Sequence, residues 1–213
     1  MKAWLLMTTA LIFGMQQASA TCAAQAPHSH LSASQNLHRD MRKLWSDHVI
    51  WTREYVVAAT SNQSDATAAA NRLMKNQEDI GAAVAAYYGK AAGDRLTSLL
   101  KEHISIAVDI IKFAKAGDKT SQQQADAKWH ANGEAIADFL SKANPNWLRA
   151  TLVQMMNMHL STTTDEVVAR LTKNWDGDVR AFDAVYNHIL AMADALADGI
   201  VKQFPEKFVE ARK

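Results

Sequence analysis

Apolar residues recur at helical spacing along almost the whole chain after residue 34. In the segment LTSLLKEHISIAVDIIKF, at positions 96–113, they form one continuous stripe on a helix face. Glycine and proline interrupt the pattern, and Gly117 is placed to end the third helix. The sequence predicts six long helices, at about 35–60, 64–87, 91–116, 120–143, 146–174 and 178–203. No alternating strand pattern competes, so we expect an all-α fold.

An internal repeat relates these helices to one another. A shift of 56 residues aligns Gly89 with Pro145 and His103 with His159, and His48 precedes His103 by 55 residues. The repeat unit is a pair of helices joined by a short loop. The sequence therefore predicts an up-and-down bundle of three tandem antiparallel hairpins, in a single domain over residues 35–208.

Polar residues interrupt the apolar stripes at matching heights. His48, His103 and His159 each lie on an apolar face. Antiparallel pairing places His48 opposite Asn76, and His103 opposite Asn132. The sequence thus predicts a polar layer at one height of the bundle. Four more polar side chains are expected beside it: Asp79, Glu166, His188 and Asp194.

Three interpretations of this layer remain open. In the first, each histidine bonds to an asparagine across its hairpin, and the layer only fixes helix register in a structural or interaction protein. In the second, the layer binds a transition metal (zinc, iron or copper) or a small ligand. In the third, the hairpins stack as a solenoid and the histidines never meet. For the second, the candidate metal ligands are His48, His103, His159, His188, Asp79, Glu166 and Asp194, and the candidate ligand-binding amides are Asn76 and Asn132.

Catalytic signals are weak. The chain carries no nucleophile motif, phosphate-binding loop, paired CxxC or HExxH. An enzymatic hypothesis requires a metal that activates water, with Glu166 as the base. The sequence therefore favours a binding or structural protein over an enzyme, and it gives no catalytic residue.

The first 20 residues are typical of a secretory signal peptide. Lys2 precedes an apolar run at 4–15 that is too short to span a membrane, and small residues occupy 18–20. We expect cleavage before Thr21, a flexible lead-in at 21–34, and a periplasmic or secreted protein with no integral membrane segment. Thr21 does not fit the small residue that lipid attachment at Cys22 requires, so lipid anchoring is not predicted.

The charge balance narrows the class of partner. The whole chain has 23 basic and 22 acidic residues, and loss of Lys2 makes the two counts equal. Nucleic acids and anionic membranes select a surplus of Lys and Arg, so neither is an expected partner. A small ligand, a metal ion or another protein remains as a candidate partner.

Several segments resemble a family of exported bacterial all-helical proteins that carry an NQEDIG motif and are themselves uncharacterised. The resemblance covers most of the mature chain. It implies that these positions belong together, and it implies no activity or binding residue. The segments are WSDHVIWTREY at 45–55, NQEDIG at 76–81, YYG at 87–89, HI at 103–104 and HILAMAD at 188–194.

Overall fold

The computed structural model describes residues 31–209. Those residues form six long helices and a short 3₁₀ turn at Pro205–Lys207, with no strand among them. The all-α prediction and the number of helices are confirmed. The predicted signal peptide and Cys22 lie outside the described residues. The helices are α1 (Ala33–Thr60), α2 (Ala66–Tyr88), α3 (Lys90–Ala116), α4 (Lys119–Ala143), α5 (Arg149–Leu171) and α6 (Trp175–Gln203).

The helices form a closed antiparallel bundle. Each helix packs against the next one in the chain, and α1 also packs against α6. Further contacts join α1 to α3 and α5. An extended solenoid keeps its first and last units apart, so the solenoid alternative is wrong. Across the described residues, no helix has both the length and the apolar character that a bilayer crossing demands.

Two helix ends show where local signals worked and where they failed. Gly117 ends α3 with a φ of 71°, as predicted, because glycine tolerates the left-handed conformation. The fifth helix was expected to begin at about 146, after Asn144 and Pro145, but α5 begins at Arg149. Asn144 instead follows the end of α4, and its side chain accepts a hydrogen bond from the Asn146 N–H at 2.8 Å.

The polar layer divides the core into unequal parts. On one side lies a large apolar cluster to which all six helices contribute, including Trp45, Ile136 and Ile189. On the other side lie two small clusters, one around Trp129 and one around Val56. Close packing is therefore continuous on one side of the layer and divided on the other.

Candidate ligand site at the histidine layer

Four histidines from four helices meet in the centre of the bundle. The His159 ring centroid lies 5.6 Å from that of His48, 6.1 Å from that of His103 and 6.4 Å from that of His188. His48, His103 and His159 are buried, with at most 4% of their surface exposed. The predicted convergence of the repeated histidines is confirmed.

His103 is held by the partner that the sequence predicted. Its Nδ1 lies 2.8 Å from Asn132 Oδ1, while Asn132 Nδ2 donates to the Leu99 carbonyl at 3.2 Å. Because Asn132 Oδ1 can only accept, His103 Nδ1–H is the donor and Nε2 of the neutral ring carries a lone pair. That Nε2 is buried and has no hydrogen-bond partner among the described residues.

His48 has a different partner from the one predicted. Its Nδ1 lies 3.3 Å from Nε2 of Gln77, whereas Asn76 Nδ2 donates to the Leu44 carbonyl at 3.0 Å. Antiparallel pairing in a hairpin predicts the position of a residue along the bundle axis. It does not predict the direction of the side chain, because consecutive residues point about 100° apart around a helix. The prediction of Asn76 was therefore one residue off, and it missed Gln77.

The third hairpin brings His188, rather than Asp194, to the layer. The loop at 172–174 is centred on Lys173, so antiparallel pairing places residue 187 or 188, and not Asp194, opposite His159. His188 Nε2–H donates to the Met155 carbonyl at 2.9 Å. His188 is partly exposed, so it forms the outer edge of the layer.

Two of the predicted carboxylates lie away from the layer. Asp79 bonds to Lys75 on the outer face of α2. Asp194 accepts two bonds from Arg42, at 2.7 and 2.6 Å. Both acids are partly exposed and neutralised by a basic neighbour. Neither is placed to bind a ligand together with the histidines.

The third predicted carboxylate, Glu166, belongs to a buried ionic network. Arg53 NH1 lies 2.8 Å from Glu166 Oε1 and also donates to Asp178, which Arg170 contacts at 3.3 Å. Burial raises the pKa of Glu166 against the lowering effect of Arg53. The pKa of Asp178 is lowered, because its bonds to Arg53 and Arg170 outweigh burial. The sequence did not single out Arg53, Asp178 or Arg170.

The layer is uncharged at neutral pH. Burial lowers the pKa of His48 to about 3 and that of His103 to about 4. Burial, with the neighbouring histidines, also places the pKa of His159 well below its usual value, and burial lowers that of His188. Neutral imidazoles are the form that binds metals. Within residues 31–209, however, no group of three or more His, Cys, Asp or Glu side chains is placed to hold one metal ion.

An apolar pocket adjoins the layer on its less densely packed side. Its volume is about 250 Å³ and it runs from an exposed rim at Thr164 and Val168 to a buried inner wall. Trp129 belongs to that inner wall, and its ring centroid lies 5.2 Å from that of His103. The pocket separates the two small apolar clusters. Its other lining residues include Val56, Leu73, Ile104, Ala107, Ile110, Ile111, Thr163 and Val167.

Thr163, one of the residues that line this pocket, carries a hydroxyl that is unpaired within residues 31–209. It is 4% exposed, and its hydroxyl has no hydrogen-bond partner among the described residues. Helical threonines commonly bond to the carbonyl four residues earlier, as Thr52 and Thr162 do here at 2.7 and 2.9 Å. The sequence analysis missed Thr163. Its position four residues after His159, on the same helix face, was the available signal.

No known family model matches the chain, and comparison with curated proteins and with solved structures returned no match either.

Proposed function

We propose that this protein binds a small, mainly apolar molecule in the pocket beside the histidine layer. The pocket itself supports this proposal. It is lined mainly by apolar residues, it is partly enclosed, and its volume of about 250 Å³ is far larger than a water molecule. His103 supports the inner end of the pocket beside Trp129, because its hydrogen bond to Asn132 holds the ring in place.

The volume sets the size of the ligand. An apolar cavity of about 150 Å³ holds benzene. A space of about 250 Å³ suits a molecule of roughly ten non-hydrogen atoms. At roughly 0.6 kcal/mol per atom, such a ligand binds with a Kd on the order of 50 µM.

The lining sets the chemistry of the ligand. None of the lining residues carries a formal charge, and the adjoining histidines are neutral. A charged ligand would lose its hydration without gaining a counterion, which is costly. The free Thr163 hydroxyl favours a ligand with one hydrogen-bond acceptor, such as a ketone or an ether. The expected ligand is therefore neutral, with an apolar body and one acceptor oxygen.

Two probes of equal size test this chemistry. Acetophenone and isopropylbenzene have the same number of heavy atoms, but only acetophenone carries an acceptor. At 0.3 mM (roughly six times the expected Kd), acetophenone should raise the thermal midpoint by about 2–4 °C. Isopropylbenzene should bind about fivefold more weakly, because it leaves the Thr163 hydroxyl unpaired.

Substitutions identify the site. Thr163→Val should abolish the difference between the two probes, whereas Thr162→Val, whose hydroxyl already bonds to the Met158 carbonyl, should preserve it. Ala107→Leu should fill the pocket and remove both shifts, while Ala127→Leu on the exposed face of α4 should leave them unchanged. The proposal fails if neither probe shifts the midpoint of the wild-type protein, or if Ala107→Leu leaves both shifts intact.

A second function is favoured by the hydrogen bonds of the layer. Asn132 links α4 to both the ring of His103 and the Leu99 carbonyl of α3, and Asn76 links α2 to the Leu44 carbonyl of α1. These hydrogen bonds form only when neighbouring helices are in one register along the bundle axis. A structural role in fixing register is compatible with ligand binding, and the loss of stability in Asn132→Ala measures it.

A further inference from the structure

Two fully buried nitrogens in the histidine layer make no hydrogen bond within residues 31–209. His103 Nε2 and His159 Nδ1 are both buried and have no partner among the described residues. The Nε2 of His103 carries a lone pair, because its Nδ1–H is committed to Asn132. Buried polar atoms are normally paired, so this arrangement calls for a specific explanation.

The spacing of the two rings fits a shared ion. A metal to nitrogen bond of about 2 Å, with about 1.1 Å from the nitrogen to its ring centroid, puts two centroids roughly 6.2 Å apart on opposite sides of an ion. A tetrahedral angle reduces that separation to roughly 5 Å. The observed separation is 6.1 Å, with the ring planes 26° apart. The centroid separation is therefore compatible with ligands on opposite sides of one ion, and it exceeds that of a tetrahedral pair.

The hydrogen bond that holds the His103 ring is of the kind that holds metal-binding histidines. Metal-binding histidines usually donate their other ring N–H to a carboxylate, a carbonyl or a water, which fixes the tautomer. Here Asn132 Oδ1 accepts from His103 Nδ1 at 2.8 Å, and Asn132 is itself fixed by the Leu99 carbonyl. His103 is thus oriented before any ion arrives.

The charge of the surroundings selects the ion. Glu166 is engaged by Arg53, and Asp79 and Asp194 lie outside the layer, so no carboxylate of the candidate set compensates a bound cation there. The cost of burying an ion rises with the square of its charge, so a divalent ion pays about four times as much as a monovalent one. Zinc also requires four ligands, and the described residues offer no group of even three.

We propose that His103 Nε2 and His159 Nδ1 bind one monovalent soft metal ion, Cu(I), in a two-coordinate site. Cu(I) accepts two nearly opposite ligands and binds imidazole. The site is separate from the apolar pocket, and it does not rest on the function proposed above.

A competition experiment tests the affinity. The full chain is prepared with Cys22→Ser in every variant, since a free thiol also binds Cu(I). Under anaerobic reducing conditions, it is titrated with Cu(I) against a chromogenic Cu(I) chelator. We expect one tightly bound ion per chain, and no tight binding of Zn(II) in a parallel titration. His103→Ala should weaken Cu(I) binding at least 100-fold, and His130→Ala, which removes an exposed histidine of α4, should not.

A second measurement keeps all histidines of the layer in place, so its result does not depend on whether a histidine variant folds. In the same Cys22→Ser protein, Ag(I) serves as a redox-inert analogue, and imidazole ¹⁵N NMR reports which nitrogens bind it. The proposal predicts large shifts at His103 Nε2 and His159 Nδ1 alone. It is overturned if no imidazole nitrogen shifts, or if His130 or another histidine outside the layer binds the ion. It is also overturned if His48→Ala weakens Cu(I) binding as much as His103→Ala does.

Discussion

Removing the Asn132 side chain should destabilise the bundle far more than removing an exposed asparagine in a similar pair. Asn132→Ala leaves the buried His103 Nδ1–H without an acceptor, which costs about 1–3 kcal/mol. It also removes the donor to the Leu99 carbonyl, which keeps its helical hydrogen bond, so this second loss is about 1 kcal/mol. The sum is about 2–4 kcal/mol, or roughly 5–12 °C in thermal midpoint for a domain of this size.

The chain contains a matched control for this prediction. Asn157 Oδ1 lies 3.3 Å from His130 Nδ1 and joins α5 to α4, as Asn132 joins α4 to α3, but here both residues are exposed. Asn157→Ala should change the free energy of unfolding by less than about 0.5 kcal/mol, because water replaces the lost partner. Urea denaturation at pH 7.5, followed by far-UV circular dichroism, gives both values.

A double substitution separates the hydrogen bond from simple packing. In His103→Leu/Asn132→Leu both polar groups are absent and neither is left unpaired. The loss of unfolding free energy should therefore be smaller than the sum of the losses in His103→Leu alone and Asn132→Leu alone. The coupling should be about 1–2 kcal/mol. Two results refute this account of the layer: an Asn132→Ala cost no greater than that of Asn157→Ala, or strictly additive effects in the double variant.

Three further predictions concern charge and packing. Burial holds the pKa of His103 near 4 in the folded protein, below its unfolded value of about 6.5. The free energy of unfolding that this difference contributes is therefore complete above pH 7 and falls by about 1.4 kcal/mol per pH unit towards pH 4. His103→Leu should reduce the slope of unfolding free energy against pH by that amount, and an unchanged slope contradicts this. At pH 8, Arg53→Met should cost about 3–5 kcal/mol in urea denaturation, since it leaves Glu166 unpaired and Asp178 with Arg170 alone, whereas Arg39→Met in an exposed pair should cost less than about 0.5 kcal/mol; equal costs would be inconsistent with the buried network. In thermal melts, Gly81→Ala should destabilise by about 1–3 kcal/mol, because its Cβ would overlap the facing helix, while Gly133→Ala, whose nearest contact is 3.5 Å, should stabilise by up to about 1 kcal/mol; the opposite order would contradict the close packing of α2 on α3.

The sequence was sufficient for the helices and for the height of the polar layer. Apolar periodicity and short loops fixed the six helices, and the 56-residue repeat placed His103 and His159 at the same level. The pairing of His103 with Asn132 followed from hairpin geometry alone and is confirmed at 2.8 Å. These features depend on spacing along the chain, which the sequence contains directly.

Features that depend on helix rotation or on exact loop length were not predictable in the same way. The partner of His48 was displaced by one residue, from Asn76 to Gln77, because hairpin pairing gives no angle around the helix. Both His188 and Asp194 were expected beside the layer, but the position of the last loop brings only His188 next to His159. The pocket also escaped prediction, because a void results from how side chains of several helices fail to meet.

The most direct test of the proposed function is an NMR titration of the isoleucine methyl groups with acetophenone. If the ligand enters the pocket beside the histidine layer, the methyl signals of Ile104, Ile110 and Ile111 shift with one shared Kd on the order of 50 µM. Those of Ile136 and Ile189, across the layer in the large apolar cluster, stay in place. Absence of shifts at the pocket isoleucines up to the solubility limit, or equal shifts in both groups, would contradict the account.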